Sequence, residues 1–193
     1  MPFLNNIRCR IGKYYLGKEL GRLSHTPAMV SLTQAKKVGI VFNSDSMENT
    51  ELVKKYFDYL SALGKKVSVL GYIAAKKPDE CLDWWPGQTY ITRKDLNWYY
   101  KPDKNIIDNF VRGAYDLLLD LNVSEEIPLL YVTAFTMAGC RVGKYNQHLL
   151  NLYDVMIETD QRKTLKYFLR NVDKYMESID KGQKLNEPEP QHA

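Results

Sequence analysis

The sequence predicts an α/β protein, a three-layer Rossmann-like sandwich built around a mostly parallel sheet. Two observations predict this fold class. First, short apolar runs that suit strands buried on both faces alternate with stretches of helical periodicity. Second, the order strand, helix, strand occurs twice, within residues 37–73 and within residues 115–145, YDLLLDLNVSEEIPLLYVTAFTMAGCRVGKY. Such a unit places its two strands parallel in one sheet.

The first element is a basic amino-terminal helix, expected at residues 4–23. It carries apolar stripes on opposite faces: Leu4, Ile7, Ile11 and Tyr14/Tyr15 on one, and Cys9, Leu16, Leu20 and Leu23 on the other. One straight helix cannot bury both stripes against one surface. We therefore expect either a break near Gly12 or Gly17, or a helix clasped from two sides.

The elements of the first half follow from apolar runs and from the residues that end them. Residues 37–42 and 66–73 are apolar enough for sheet strands. The helix between them begins at Met47 or Thr50 and runs to Ala62, before Gly64. An aromatic-rich insertion follows, in which residues 88–92 are a third strand near an edge, and a short helix is expected at residues 106–113.

The second half continues the alternation. Strands are expected at residues 115–121, from residues 140–142 onward and at residues 153–158. Pro128 opens a helix as its first residue, residues 129–138 supply the apolar body, and Gly139 ends it. The periodicity of residues 160–181 predicts a last helix that ends at Gly182.

The chain divides into three parts by composition. Residues 1–36 are the basic helix and a polar linker, residues 37–182 are the Rossmann-like domain, and residues 183–193 are expected to be a disordered tail. Residues 1–37 carry seven basic residues and one acidic residue, whereas the remainder has a net charge of −2. Because the positive charge is confined to one segment, the sequence argues against a nucleic-acid partner.

Polar side chains follow the two central strands of the predicted sheet. The expected strand order, 3-2-1-4-5-6, places residues 37–42 beside residues 115–121 where the order reverses, and ligands of such sheets bind beyond the carboxyl ends of the strands at this point. The candidate ligand-binding residues are Asn43, Ser44 and Asp45 from the first loop, Asp120, Asn122, Ser124 and Glu125 from the second, and Arg141 as an anion-binding side chain.

Each candidate also has a purely structural interpretation. Asp120 is a candidate catalytic residue, as a general base or a hydroxyl-binding carboxylate, or else a helix cap or turn acceptor. The residues after the first strand, 43–45, would serve equally as turn and cap residues. The negative charge of Glu125 would favour the dipole of the helix that follows, and Arg141 and Lys144 would be solvated or salt-bridged at the surface.

Six aromatic residues lie close together in the insertion: Trp84, Trp85, Tyr90, Trp98, Tyr99 and Tyr100. One interpretation is a stacking surface for a carbohydrate or a base. The other is a satellite core against the sheet edge, or a homodimer contact through residues 84–100.

The signatures of common cofactors and metals are missing. There is no GxGxxG after the first strand and no GxxxxGK[ST], so no standard dinucleotide or triphosphate site is predicted and any cofactor is unknown. The three cysteines form no CxxC, and none of the three histidines stands near a serine or cysteine at a suggestive spacing. We therefore expect neither a metal site nor a disulfide framework.

The sequence resembles two families, of which the first has a known activity and the second has none. Residues 115–145 resemble the amino-terminal half of the lipopolysaccharide heptosyltransferases, which are GT-B glycosyltransferases, through Asp116, Leu119, Asp120, Leu121, Arg141, Val142 and Gly143. A GT-B enzyme needs two Rossmann-like domains, and this chain has room for one. The whole chain is similar to a family of small α/β proteins of unknown function with a basic amino-terminal helix and a DLNW motif, here residues 95–98.

Two hypotheses of function follow. The first is a Rossmann-like protein that binds a small sugar- or nucleotide-type molecule in the crevice, and that is related to glycosyltransferases. The alternative is a non-catalytic interaction or peripheral-membrane protein, in which residues 4–23 dock on a partner or on an anionic membrane surface. No run approaches the ~20 apolar residues of a membrane span, and no signal peptide is recognised, so a cytoplasmic protein is expected.

Overall fold

The computed structural model describes residues 2–44, 46–74, 88–159 and 164–185. Within them, six strands form one all-parallel sheet in the order β3-β2-β1-β4-β5-β6, which confirms the predicted fold class and strand order. The strands are β1 (Lys37–Asn43), β2 (Lys66–Ile73), β3 (Gln88–Thr92), β4 (Tyr115–Asp120), β5 (Ala138–Lys144) and β6 (Val155–Ile157). The helices are α1 (Pro2–Leu20), α2 (Met47–Ala62), α3 (Lys104–Val111), α4 (Ile127–Phe135) and α5 (Leu165–Leu185).

Helices cover both faces of the sheet because the strand side chains are apolar on both faces. On one face, Val38 and Ile40 of β1 pack with Val53 of α2 and with Phe168 and Val172 of α5. On the other face, strand residues that include Val41 and Leu118 pack with α3 and α4. All of these residues are buried, so the sheet is the middle layer of three.

Helix α4 lies at the centre of the second face and is buried on every side. All of its residues apart from Phe135 are buried. Leu129 and Val132 face the sheet, whereas Ile127, Leu130 and Tyr131 pack beneath α1. Helix α1 therefore forms an additional layer outside α4 and completes the core there.

Helix α1 is one continuous helix that uses only one of its two apolar stripes for packing. Leu16 is buried, Cys9 and Leu20 pack beside it, and Tyr131 donates a 2.8 Å hydrogen bond to the carbonyl oxygen of Gly12. The other stripe, from Leu4 to Tyr15, is mainly exposed. The expectation of a break or of a clasp from two sides was therefore wrong, because the second stripe remains in solvent.

Three predicted helix ends were also wrong. Helix α1 ends at Leu20 rather than at residue 23. Helix α4 ends at Phe135 rather than at Ala138, because Thr136 leaves the helix with extended backbone while its hydroxyl bonds the carbonyl oxygen of Val132. Gly139 consequently lies inside β5. Helix α5 passes through Gly182 and ends at Leu185. The predicted disordered tail overlaps α5 at residues 183–185, and its remainder lies outside the described residues.

No helix in the described part of the chain is both long enough and apolar enough to cross a membrane.

Candidate functional site

Asp120 ends β4 at the point where the strand order reverses, between β1 and β4. In the register of these two strands it lies opposite Val41 of β1. Alternation along β4 turns its side chain toward α4, where Thr133 donates a 3.2 Å hydrogen bond to Asp120 Oδ2. Asp120 is 3% exposed, so the carboxyl group lies at the inner end of the predicted crevice.

Four donors surround the Asp120 carboxyl group. Oδ1 accepts hydrogen bonds from the backbone N–H and from the side-chain Nδ2 of Asn122. Oδ2 accepts from Thr133 and, at 2.6 Å, from the hydroxyl of Tyr153. A carboxylate offers about four acceptor positions, and these donors occupy them. These contacts place Asp120 to orient Asn122 and Tyr153.

Tyr153 reaches Asp120 because Gly143 of β5 has no side chain. A Cβ at Gly143 would clash with the Tyr153 ring. The glycine lets the ring cross β5 and lie buried beneath the pocket described below. The sequence analysis missed Tyr153, although a glycine inside a strand is a signal that another group approaches closely.

Burial sets the protonation of this cluster. Desolvation raises the pKa of Asp120, and it outweighs the hydrogen bonds from Tyr153, Asn122 and Thr133, each of which favours the charged form. Burial also raises the pKa of Tyr153 well above its ordinary value, with a further contribution from the nearby Asp120 charge. The tyrosine hydroxyl therefore remains protonated and acts as the donor.

A pocket of about 120 Å³ lies next to this cluster. We call it the Asn122 pocket; its lining includes Asp120, Asn122, Ser124, Tyr145 and Tyr153. The hydrogen bond from Asn122 Nδ2 to Asp120 fixes the orientation of the Asn122 amide. Its carbonyl oxygen Oδ1 is buried and has no hydrogen-bond partner among the described residues. A buried acceptor left without a donor costs about 1–3 kcal/mol, so this oxygen favours a ligand or water that donates to it.

The rim of the Asn122 pocket is charged but internally paired. Glu125 forms an ion pair with Lys13 of α1, and its Oε2 accepts a 3.1 Å hydrogen bond from Asn146. Lys144 donates at 2.8 Å to the carbonyl oxygen of Val123. Ser124 is exposed at the rim. Together with Lys144, carboxylate, amide and hydroxyl groups thus surround the uncharged acceptor Asn122 Oδ1.

The first loop contributes less to this pocket than the second. Asn43 donates a 3.0 Å hydrogen bond to Glu126 and borders a neighbouring pocket of about 150 Å³, which Asn122 and Ser124 also line. Ser44 is fully buried and bonds the Thr50 hydroxyl at 2.8 Å, which anchors the start of α2. Asp45 lies outside the described residues.

Arg141 lies apart from the Asn122 pocket. It is 5% exposed, and its Nη2 donates to the carbonyl oxygens of Ala134 and Thr136, where α4 ends. Its backbone N–H donates at 2.7 Å to Asp154, whose carboxylate also bonds His25 at 2.9 Å. These contacts place Arg141 at the carboxyl end of α4, whereas Asn122 and Ser124 lie near its amino end.

The heptosyltransferase-like run and the DLNW segment, residues 95–98, consist largely of residues whose side chains hold the local backbone in place. Asp116 accepts 2.8 Å hydrogen bonds from the backbone N–H groups of Lys36 and Lys37, and so fixes the start of β1. In the DLNW segment, Asp95 caps a short 3₁₀ helix, and Asn97 accepts from the N–H groups of Tyr99 and Lys101. Trp98 instead is 57% exposed. Trp84 and Trp85 lie outside the described residues.

Among the described residues, no group of three or more histidine, cysteine, aspartate or glutamate side chains is arranged to hold a metal ion.

Comparison with known proteins identifies the family. The chain belongs to a family of unknown function, DUF6913, whose model matches residues 8–179. The match runs from α1 into α5 and so includes the whole sheet and the Asn122 pocket. Neither the curated proteins nor the solved structures contain a match to the chain.

Proposed function

We propose that this protein binds a small polyhydroxylated molecule of the sugar type in the Asn122 pocket. The observation that carries this proposal is the buried Asn122 Oδ1, which has no donor among the described residues. A ligand hydroxyl supplies such a donor without bringing a charge. The pocket lies beyond the carboxyl end of β4 at the reversal of strand order, where doubly wound sheets bind their ligands.

The side chains around the pocket favour a hydroxylated ligand over a phosphorylated one. Glu125, Glu126 and Asp120 line it together with one lysine, Lys144, which donates to the carbonyl oxygen of Val123, so a phosphate group would meet more carboxyl groups than cations. Amide and hydroxyl groups at Asn122, Ser124 and Asn146 can donate to or accept from sugar hydroxyls. Tyr145, 51% exposed at the rim, offers an aromatic face to the apolar side of a sugar ring.

The size of the pocket limits the bound group. Its volume of about 120 Å³ is several times the ~30 Å³ that one water molecule occupies in the liquid, and smaller than the ~300 Å³ at which drug-sized ligand pockets begin. One monosaccharide, or one sugar unit of a larger molecule, is the size class proposed. A relation to glycosyltransferases is the narrower form of this proposal and requires a nucleotide-sugar donor.

A thermal-shift screen of the full chain tests the proposal. The panel contains monosaccharides, sugar phosphates, nucleotides and nucleotide-sugars. A ligand at 100 times its dissociation constant adds ~2.7 kcal/mol, or roughly 5–10 °C in Tm for a chain of this size. We expect a shift with a neutral sugar, or with a nucleotide-sugar that carries one.

Two variants test whether a shift in Tm arises from binding in the Asn122 pocket. Asn122→Ala removes the unpartnered acceptor, whereas Asn109→Ala changes an exposed asparagine on α3 and serves as the matched control. The shift should disappear in the first variant and persist in the second. A flat screen of the wild type, or a shift that survives Asn122→Ala, would reject the proposal.

A further inference from the structure

We propose that the outer face of α1, together with Trp98, docks the protein on an anionic membrane surface. The outer face consists of Leu4, Ile7, Ile11, Tyr14, Tyr15 and Lys18. At about 100° per residue these positions fall on one side of the helix, opposite the buried Leu16. This inference is independent of the Asn122 pocket.

Most apolar residues of the outer face are exposed rather than packed in the core. Leu4 is 54% exposed, Tyr14 60% and Tyr15 43%, although each belongs to a regular stripe. The opposite face of α1 covers α4, so the outer face is the one directed to solvent. A free interfacial helix needs one polar face, which a helix with two apolar stripes lacks. In this protein the inner stripe packs in the core, so only the outer stripe is available for a membrane contact.

A row of aromatic rings extends the outer face onto the neighbouring turn. The ring centroids of Tyr14 and Tyr15 are 5.6 Å apart, those of Tyr15 and Tyr99 5.0 Å, and those of Tyr99 and Trp98 5.6 Å. Tryptophan and tyrosine are the residues enriched at membrane–water interfaces, because their rings are apolar and carry one polar group.

Basic side chains flank this row. The Arg8 guanidinium lies 4.4 Å from the centre of the Tyr100 ring, and Lys18 Nζ lies 4.8 Å from that of Tyr14. Arg10 is exposed on the same helix. The acidic residue of this helix, Glu19, is paired with Lys101 at 2.8 Å. Each lysine or arginine near an anionic leaflet contributes ~1 kcal/mol, so the charges and the aromatic rings favour the same contact.

Charge also distinguishes a membrane from a second copy of the chain. A symmetric dimer through this face would bring the flanking cations of both copies, among them Arg10 and Lys18, into one interface, since a two-fold interface is built from the same patch on each copy. Anionic headgroups complement those cations. The flanking charges therefore favour the lipid surface as the occupant.

Co-sedimentation of the full chain with vesicles tests this inference. We expect binding to phosphatidylcholine vesicles that contain phosphatidylserine, little binding to pure phosphatidylcholine, and at least a tenfold loss of binding when salt is raised from 50 to 500 mM, because exposed charges are screened. Failure of the wild-type chain to bind the anionic vesicles at low salt would overturn the proposal.

Substitutions of exposed residues test whether the outer face of α1 and Trp98 make the membrane contact, and they leave the core intact. Trp98→Ser and Tyr14→Ser should each weaken vesicle binding severalfold, and Arg10→Glu should weaken it and reduce its salt dependence. Tyr175→Ser, at an equally exposed tyrosine on α5, is the control and should bind like wild type. Equal binding by all four variants would reject this face. So would a chain that is dimeric in solution, becomes monomeric on Trp98→Ser, and binds no vesicles.

Discussion

The hydroxyl of Tyr153 donates a 2.6 Å hydrogen bond to Asp120 Oδ2 across a position where β5 has a glycine. The two residues are 33 positions apart, and both are buried. This bond joins the end of β4 to the segment that leads into β6, so the floor of the Asn122 pocket is built from the end of β4, that segment and α4.

Removal of the Tyr153 hydroxyl should destabilise the fold. Tyr153→Phe keeps the ring but leaves Asp120 Oδ2 with one donor fewer in a buried site, which costs about 1–3 kcal/mol. Urea unfolding measures this loss. Tyr145→Phe, at the exposed rim of the same pocket, should change stability by less than about 0.5 kcal/mol. Equal effects of the two substitutions would show that the Tyr153–Asp120 bond contributes nothing.

The carboxyl group of Asp120 should make stability depend on pH in an unusual direction. Its pKa is raised in the folded state, so it favours folding below the ordinary aspartate pKa of about 3.9, and this contribution is lost as the pH rises through the folded value. Asp120→Asn removes the titration. The stability of wild type relative to Asp120→Asn should therefore fall as the pH rises above the ordinary aspartate pKa of about 3.9.

The measurement is urea unfolding at several pH values, with Asp58→Asn at an exposed position of α2 as the control. That control should follow the wild-type profile. A difference between wild type and Asp120→Asn that is constant with pH would contradict the burial argument.

A methyl group at Gly143 should displace Tyr153. Gly143→Ala brings a Cβ into the Tyr153 ring, and overpacking of this kind costs about 1–3 kcal/mol. If the ring is the cause, the same substitution in a Tyr153→Ala background should cost less. A double-mutant cycle by chemical denaturation measures this coupling. Additive effects would mean that Gly143 is required for another reason.

Two glycines of α1 should respond to the same substitution with opposite sign. A Cβ at Gly12 would clash with the Tyr99 carbonyl oxygen, whereas a Cβ at Gly17 would meet no atom within 4 Å. Gly17→Ala should stabilise by up to ~1 kcal/mol through helix propensity, and Gly12→Ala should destabilise. Thermal unfolding of the two variants is the measurement. Stabilisation by both would show that α1 does not depend on close approach at Gly12.

Much of the fold was predictable because its determinants are local in sequence. The bounds of β2 and the end of α2 follow from apolar runs and from the glycine after the helix and were predicted to within a residue, whereas the start of α2 was left open between Met47 and Thr50 and lies at Met47. The end of α4 was mispredicted because Thr136 ends the helix with its own hydroxyl, although the apolar run continues beyond it. An apolar run alone does not distinguish a buried helix from the strand that follows it.

The candidate site was predictable only in part. Asp120 and Asn122 were named because they follow a central strand. Tyr153 was missed, and Arg141 was placed with the crevice although it contacts the opposite end of α4. The positions of both Tyr153 and Arg141 depend on how β5 and β6 lie against α4. Side-chain contacts between segments far apart in sequence, such as that of Tyr153 with Asp120, leave no periodic signal in the sequence.

The burial of α4 on every side has a consequence for the order of folding. Gly12 and Tyr131, which join α1 to α4, are 119 positions apart. During synthesis at ~5–20 residues per second, α1 leaves the ribosome on the order of ten seconds before α4 exists to receive it. Through that interval both of its apolar stripes are exposed, and contacts of such long sequence separation form slowly. Helix α1 is thus synthesised well before the helix that it covers, and its inner stripe is buried only after residues 127–135 have followed it.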